Sequence, residues 1–199
     1  MKPWILASKS PRRQELLSRL VKEFTVMVDE SPEQTVPGES PAQMVMRLAE
    51  EKAGNIAKKV EGDALILAAD TTVVLEDEVL GKPKDEAEAY RMLSRLSGCT
   101  HQVYTGISVL DTQSGKGVTE FEVTKVRFRA LSREDIRRYI ASGEPMDKAG
   151  AYGIQELGAL FVEGIEGDYF NVVGLPLCHL GRILSEEFKI ELGGVKDAG

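Results

Sequence analysis

Apolar positions along this chain follow two rhythms, and the switches between them mark the elements. "WILAS" (residues 4–8) reads as a short buried strand that runs into a helix opened by Ser10 as N-cap and Pro11 at the first helical position, with Leu16, Leu17 and Leu20 at helical spacing. A second helix starts at "SPAQ", where Ser40 caps and Gln43 completes a capping box, and carries Met44, Val45, Leu48 and Ala49. "ALILAAD" (64–70) is a continuous apolar run ending in a carboxylate, the pattern of a central strand buried on both faces. "TTVVL", "EDE" and "VL" then predict a hairpin. A third helix begins near Asp85, with Glu88 three residues on, buries Ala89, Met92, Leu93 and Leu96, and stops at Gly98.

Alternation takes over at Val103, Thr105, Ile107 and Val109, and again from Phe121 to Phe128, predicting two long antiparallel strands. "LSREDIRRYIASG" reads as a helix from its Ser132 cap to Gly143, "ALFV" and "YFNVVG" as strands, and "LPLCHLGRILSEEF" as a closing helix. Helices alternate with strands and hairpins are present, so the expected class is α/β with a mixed sheet. No repeat or linker interrupts it. One domain is expected over residues 1–192, with 193–199 a frayed tail.

Composition narrows the function classes. The chain has 199 residues and a formal charge of −7, against the continuous basic surface that stable nucleic-acid binding needs. No apolar run approaches the roughly 20 residues of a membrane span, and no signal-peptide h-region is present, so no membrane role is expected. Two cysteines, Cys99 and Cys178, fit a reducing cytoplasm, and two histidines argue against a histidine-rich zinc site. Any metal is expected to be a hard cation held by oxygens.

The candidate chemistry sits in a few short stretches. "SKSPRR" places Arg12 and Arg13 in a first helical turn, where a cation is unfavourable by roughly 0.3–1 kcal/mol. With the hydroxyls of Ser8 and Ser10 and the free N–H groups of the helix start, they suit a phosphate. Asp70, followed by Thr71 and Thr72, sits at the predicted strand end, where ligands of open α/β sheets bind. It suits a divalent cation or a proton taken from water. Lys82 in "GKP", Lys148 in "DKAGAYG" and Lys52 on the apolar face of the second helix are further candidate anion ligands. Glu30 and Glu33 in "VDESPEQ" offer a second carboxylate for a metal, and the amide of Gln155 can read a base edge. Each also has a bland reading, as cap, snorkelling side chain or solvated loop.

Together, "LASKSPRRQELL", "RLAEEKA", "AADTTVV", "GKPKDEAEAYRMLSRLSGCTHQVYTG", "EPMDKAGAYGIQ" and "GDYFNVVGLPL" resemble the Maf family of nucleoside triphosphate pyrophosphatases, historically associated with septum formation. The resemblance runs from about Leu6 to Leu177. It implies a fold similar to inosine triphosphate pyrophosphatases: a mixed twisted sheet flanked by helices, with two lobes around a cleft, often in a homodimer. It implies hydrolysis between the α- and β-phosphates with Mg²⁺, Mn²⁺ or Co²⁺, and the branch that prefers dTTP and UTP.

By the same resemblance, Asp70 is the proton acceptor and Arg12, Thr71 and Gln155 select the base. Ser8, Arg13, Lys52 and Lys82 bind phosphate, and Glu33 joins Asp70 at the metal. Val21, Lys22 and Glu156 depart from glycines common in the family. The competing readings are a 7-methyl-GTP pyrophosphatase and a nucleotide-binding regulator that turns nothing over.

Overall fold

A computed structural model describes residues 2–34 and 36–192; the predicted frayed tail, 193–199, lies outside the described residues. Strands β1 (Trp4–Leu6), β2 (Thr25–Val26), β3 (Leu65–Leu75), β4 (Glu78–Leu80), β5 (Thr100–Asp111), β6 (Gly117–Phe128) and β7 (Val162–Glu166) form one mixed sheet in the order β2-β1-β3-β5-β6-β7, with β4 beside β3. β1 is parallel to β2 and β3, and every other pairing is antiparallel. The helices are α1 (Pro11–Ser18), α2 (Pro41–Ala57), α3 (Glu86–Leu96), α4 (Arg133–Ala141), α5 (Tyr169–Val173) and α6 (Leu177–Phe188).

Strand periodicity sorts the core by face. Ile66 and Ala68 of β3 meet Ala53 and Ile56 of α2. On the other face, Leu65, Leu67 and Ala69 pack with Leu16, Leu17 and Leu180 of α1 and α6. Further along that face, Val73 and Leu75 join Leu93, Ile136 and Phe128 in a second core under α3 and α4. One sheet thus carries three apolar clusters. Gly106 of β5 points toward α2, and a Cβ there would lie 2.2 Å from the Val45 carbonyl oxygen, so the helix backbone rests directly on the strand.

Three predicted elements are corrected. "ALILAAD" and "TTVVL" are one strand, so Asp70 lies mid-strand, opposite Gly106, and not at a strand end. The run of apolar side chains breaks there because Asp70 and Thr71 face open space, not because the ladder stops. "YFNVVG" is helical. Asp168 caps it by accepting from the Phe170 N–H at 2.7 Å, and buried Asn171 donates to the Val103 carbonyl and the Thr124 hydroxyl, both at 3.0 Å. "ALFV" is for the most part a 3₁₀ turn (Leu157–Phe161), with β7 starting at Val162.

Candidate active site

Asp70 sits where the sheet splits. β5 pairs with β3 along nearly its whole length, but on the other edge β1 covers only Leu65–Leu67 and β4 only Val73–Leu75. Residues 68–72 thus have no strand neighbour on that edge among the described residues, and a cleft of about 1060 Å³ opens there. It lies beyond the carboxyl end of β1, so the strand-end rule holds for that strand and not for β3. Adjacent β3 residues reach it from opposite faces: Asp70 from the α2 side, Thr71 from the α1 side.

On the α2 side, the Lys52 ammonium lies 2.5 Å from Asp70 and 2.8 Å from Glu33. Burial works to raise the Glu33 pKa, but the hydrogen bond and charge of Lys52 outweigh it and leave it lowered. Neighbouring Asp29 does not join them. The Asn55 amide holds it at 2.8 Å, with Lys59 at 3.6 Å, and so fastens the acidic loop to α2. Exposed Glu30 lines the cleft and makes no ion pair among the described residues.

On the α1 side, Arg13 donates to the Gly174 carbonyl at 2.8 Å, the Thr71 hydroxyl at 2.9 Å and the Ser8 hydroxyl at 3.3 Å. Burial lowers its pKa, against the pull of Asp70. Behind it, Thr71 shares a 2.9 Å hydrogen bond with buried Thr105, whose hydroxyl donates to the Asn171 carbonyl at 3.0 Å. Ser10 occupies the N-cap position as predicted, but its hydroxyl caps nothing. Its own N–H donates instead to Ser8 Oγ at 3.2 Å, so the first turn of α1 lacks a side-chain acceptor.

The far wall is the segment after α4. Arg12 reaches Asp147 at 3.4 Å. Lys148, only 8% exposed, is held by Asp147 at 2.8 Å and the Glu144 carbonyl at 2.6 Å. Gly150 has a φ of +68° and donates to the Gly81 carbonyl at 3.0 Å, which ties this wall to the loop carrying Lys82. All twelve predicted site residues line this single cleft. Six cationic side chains against five carboxylates line it, in a chain of formal charge −7, so the cleft is far more basic than the molecule.

Comparison with known proteins settles the family. The model of the family described as Maf-like protein matches residues 3–187. The chain belongs to the Maf family. A dTTP/UTP pyrophosphatase of Thermoanaerobacter sp. (strain X514) is 52% identical over 188 residues, covering 94% of this chain and 98% of the relative. One from Alkaliphilus metalliredigens (strain QYMF) is 49% identical over 192 residues, covering 96% and 100%. Among solved structures, a HAM1 protein from Coxiella burnetii matches 94% of this chain and 100% of its own, at 17% identity and a TM-score of 0.48.

The family departures are accommodated locally in this Maf protein. Val21 packs into the core beside α1, and Glu156, at φ −114°, needs no glycine. What spacing could not reveal is the supporting layer of Thr105, Asn171, Glu144 and Asp147. Thr105 and Asn171 act through partners distant in sequence, while Glu144 and Asp147 join near neighbours to groups further along the chain. No helix among the described residues is long and apolar enough to cross a membrane.

Proposed function

We propose that this Maf-family chain is a nucleoside triphosphate pyrophosphatase that cleaves dTTP and UTP between the α- and β-phosphates, releasing the monophosphate and pyrophosphate. The observation that carries the reading is the meeting of Asp70 with an excess of cations at the split in the sheet, in a chain about half identical to proteins named for that activity. A triphosphate carries about four negative charges, so displacing pyrophosphate needs those charges neutralised and a water aligned opposite the leaving group.

The uncapped start of α1, with Ser8 and Ser10, offers N–H and O–H donors to phosphate oxygens. Arg13 is locked in place by its three bonds and presents its remaining N–H groups. Exposed Lys82 brings mobile charge, and Lys52 brings a cation already held by Asp70 and Glu33. Asp70 accepts the proton of the attacking water at its carboxylate. Arg12, Thr71 and Gln155 face the base.

Among the described residues no group of three or more His, Cys, Asp or Glu side chains forms a metal cluster. Glu33 and Asp70 nevertheless converge on one cation, the Lys52 ammonium, and their hard oxygens suit Mg²⁺, Mn²⁺ or Co²⁺. An ion held there by Glu33 and Asp70 would make water at the site more acidic. Two free cysteines fit a cytoplasmic protein.

The test offers dTTP, UTP, CTP, GTP and 7-methyl-GTP with divalent metal and measures pyrophosphate and orthophosphate separately. Pyrophosphate from dTTP and UTP is expected, and Asp70→Asn is expected to lower kcat at least about 10²-fold with the thermal unfolding curve retained. Product from 7-methyl-GTP instead, or saturable binding without product, would overturn the reading.

A further inference from the structure

Gln155 has no side-chain hydrogen bond among the described residues, yet the backbone on both sides of it is tied down. It lies on a short bridge whose two ends are fastened to one pair of side chains. At one end, the Gly153 N–H donates to the Tyr139 hydroxyl at 3.0 Å. At the other, the Leu157 and Gly158 N–H groups donate to the Glu144 carboxylate at 3.0 and 3.2 Å. The pair is itself joined, because the Tyr139 hydroxyl donates to Glu144 Oε1 at 2.8 Å. Packing closes the same bridge: a Cβ at Gly158 would lie 2.3 Å from the Gly153 carbonyl, and one at Gly153 would lie 2.7 Å from the Lys148 stem. Glu144 is fixed in turn, since its carbonyl accepts from the Lys148 ammonium at 2.6 Å.

We infer that Glu144, seated on Tyr139, is the positioning residue for base discrimination: it sets the place of Gln155 without touching the nucleotide. The inference rests on the proposed role of Gln155 in reading the base. Its physical content is the acceptor count. Every group that meets the Glu144 carboxylate is a donor: one phenol and two backbone N–H groups. An ionised carboxylate is acceptor-only and satisfies all three, whereas an amide of the same shape turns an NH₂ against one of them. Glu144→Gln therefore keeps the volume and loosens one end of the bridge, where one of its two N–H bonds is lost. Tyr139→Phe frees the other end, by removing the hydroxyl that both accepts from Gly153 and donates to Glu144.

The expected consequence is a loss of discrimination rather than a uniform loss of rate. Uracil and cytosine exchange donor and acceptor at one edge, which is what a fixed amide distinguishes and a loose one does not. The experiment measures kcat/KM for UTP and CTP on the same preparation of each variant. Their ratio does not depend on the fraction of protein correctly folded.

Gln155→Ala and Glu144→Gln are each expected to reduce the UTP/CTP ratio at least about fivefold, and the double variant no further than Gln155→Ala alone, because the two act as one unit. If Glu144→Gln does not yield folded protein, Tyr139→Phe carries the same expectation. A wild-type ratio in Glu144→Gln and Tyr139→Phe, with a reduced one in Gln155→Ala, would overturn this inference and leave the base-reading role standing. An unchanged ratio in Gln155→Ala would overturn that role and this inference with it. A merely structural Glu144 would lower both kcat/KM values together.

Discussion

Lys52 holds two carboxylates at once, and neither would tolerate the other so well without it. Removing the ammonium leaves Glu33 and Asp70 facing each other as like charges, a pairing relieved by any cation that enters. Lys52→Gln is therefore expected to bind Mn²⁺ at least about tenfold more tightly than the wild type, a difference of about 1.4 kcal/mol, in a titration of free Mn²⁺ by electron paramagnetic resonance. Equal affinities would mean that Lys52 does not compete at this site.

At the scale of single residues, the pattern brings hydroxyls, cations and carboxylates to one cleft but does not show their partners. Arg13, however, reads in the sequence as a free phosphate ligand, and in the fold three of its N–H groups are already engaged. Its bond to Gly174 spans 161 positions, and no local pattern encodes such a contact.

Among the elements, α2 owes its place to one missing side chain. Gly106 lets the α2 backbone lie against β5, and that contact brings Lys52 over Asp70, the cross-strand partner of Gly106. Gly106→Ala is expected to force the helix outward, destabilising the protein by about 1–3 kcal/mol and lowering kcat/KM with it. Gly181→Ala, inside α6 with nothing near its added methyl, is the control and is expected to stabilise by about 0.5–1 kcal/mol. Urea unfolding and initial rates on both variants check the pair.

The elements legible in advance were those whose signals are local. The capping box at Ser40 and the cap at Ser132 start α2 and α4 where the pattern places them. α5 reads as a strand because four of its five residues are aromatic or β-branched and favour a strand by propensity, while its helix is held by Asp168 at the cap and by tertiary bonds from Asn171. The pattern puts Asp70 at a strand end because the apolar run stops there. What stops is the burial, and burial depends on the neighbouring strands.

For the molecule as a whole, the second core carries a pH dependence. His101, 1% exposed, shares a 2.7 Å hydrogen bond with Tyr152, a residue of the cleft wall, and stacks edge-on against Phe128. Burial pulls its pKa from 6.5 down to about 4. Between those values the unfolded chain binds a proton that the folded protein refuses, so stability is complete above pH 6.5 and is lost as the pH falls toward 4. From about pH 6.5 to about pH 5, unfolding free energy is expected to drop by about 1.5 kcal/mol, and His101→Phe to remove that part of the slope. Urea titrations at several pH values measure it, and identical slopes in the two proteins would refute it.

The split in the sheet has a consequence beyond catalysis. A stretch of strand with one edge unpaired is a template onto which another extended chain can add, and proteins commonly guard such edges with charge. Here the unpaired stretch lies inside the molecule, at residues 68–72, and Asp70 stands in it with Lys52 directly above. The charges assigned to nucleotide chemistry thus also keep the edge from accepting a foreign strand. A variant that neutralised both would have lost its protection against aggregation along with its activity.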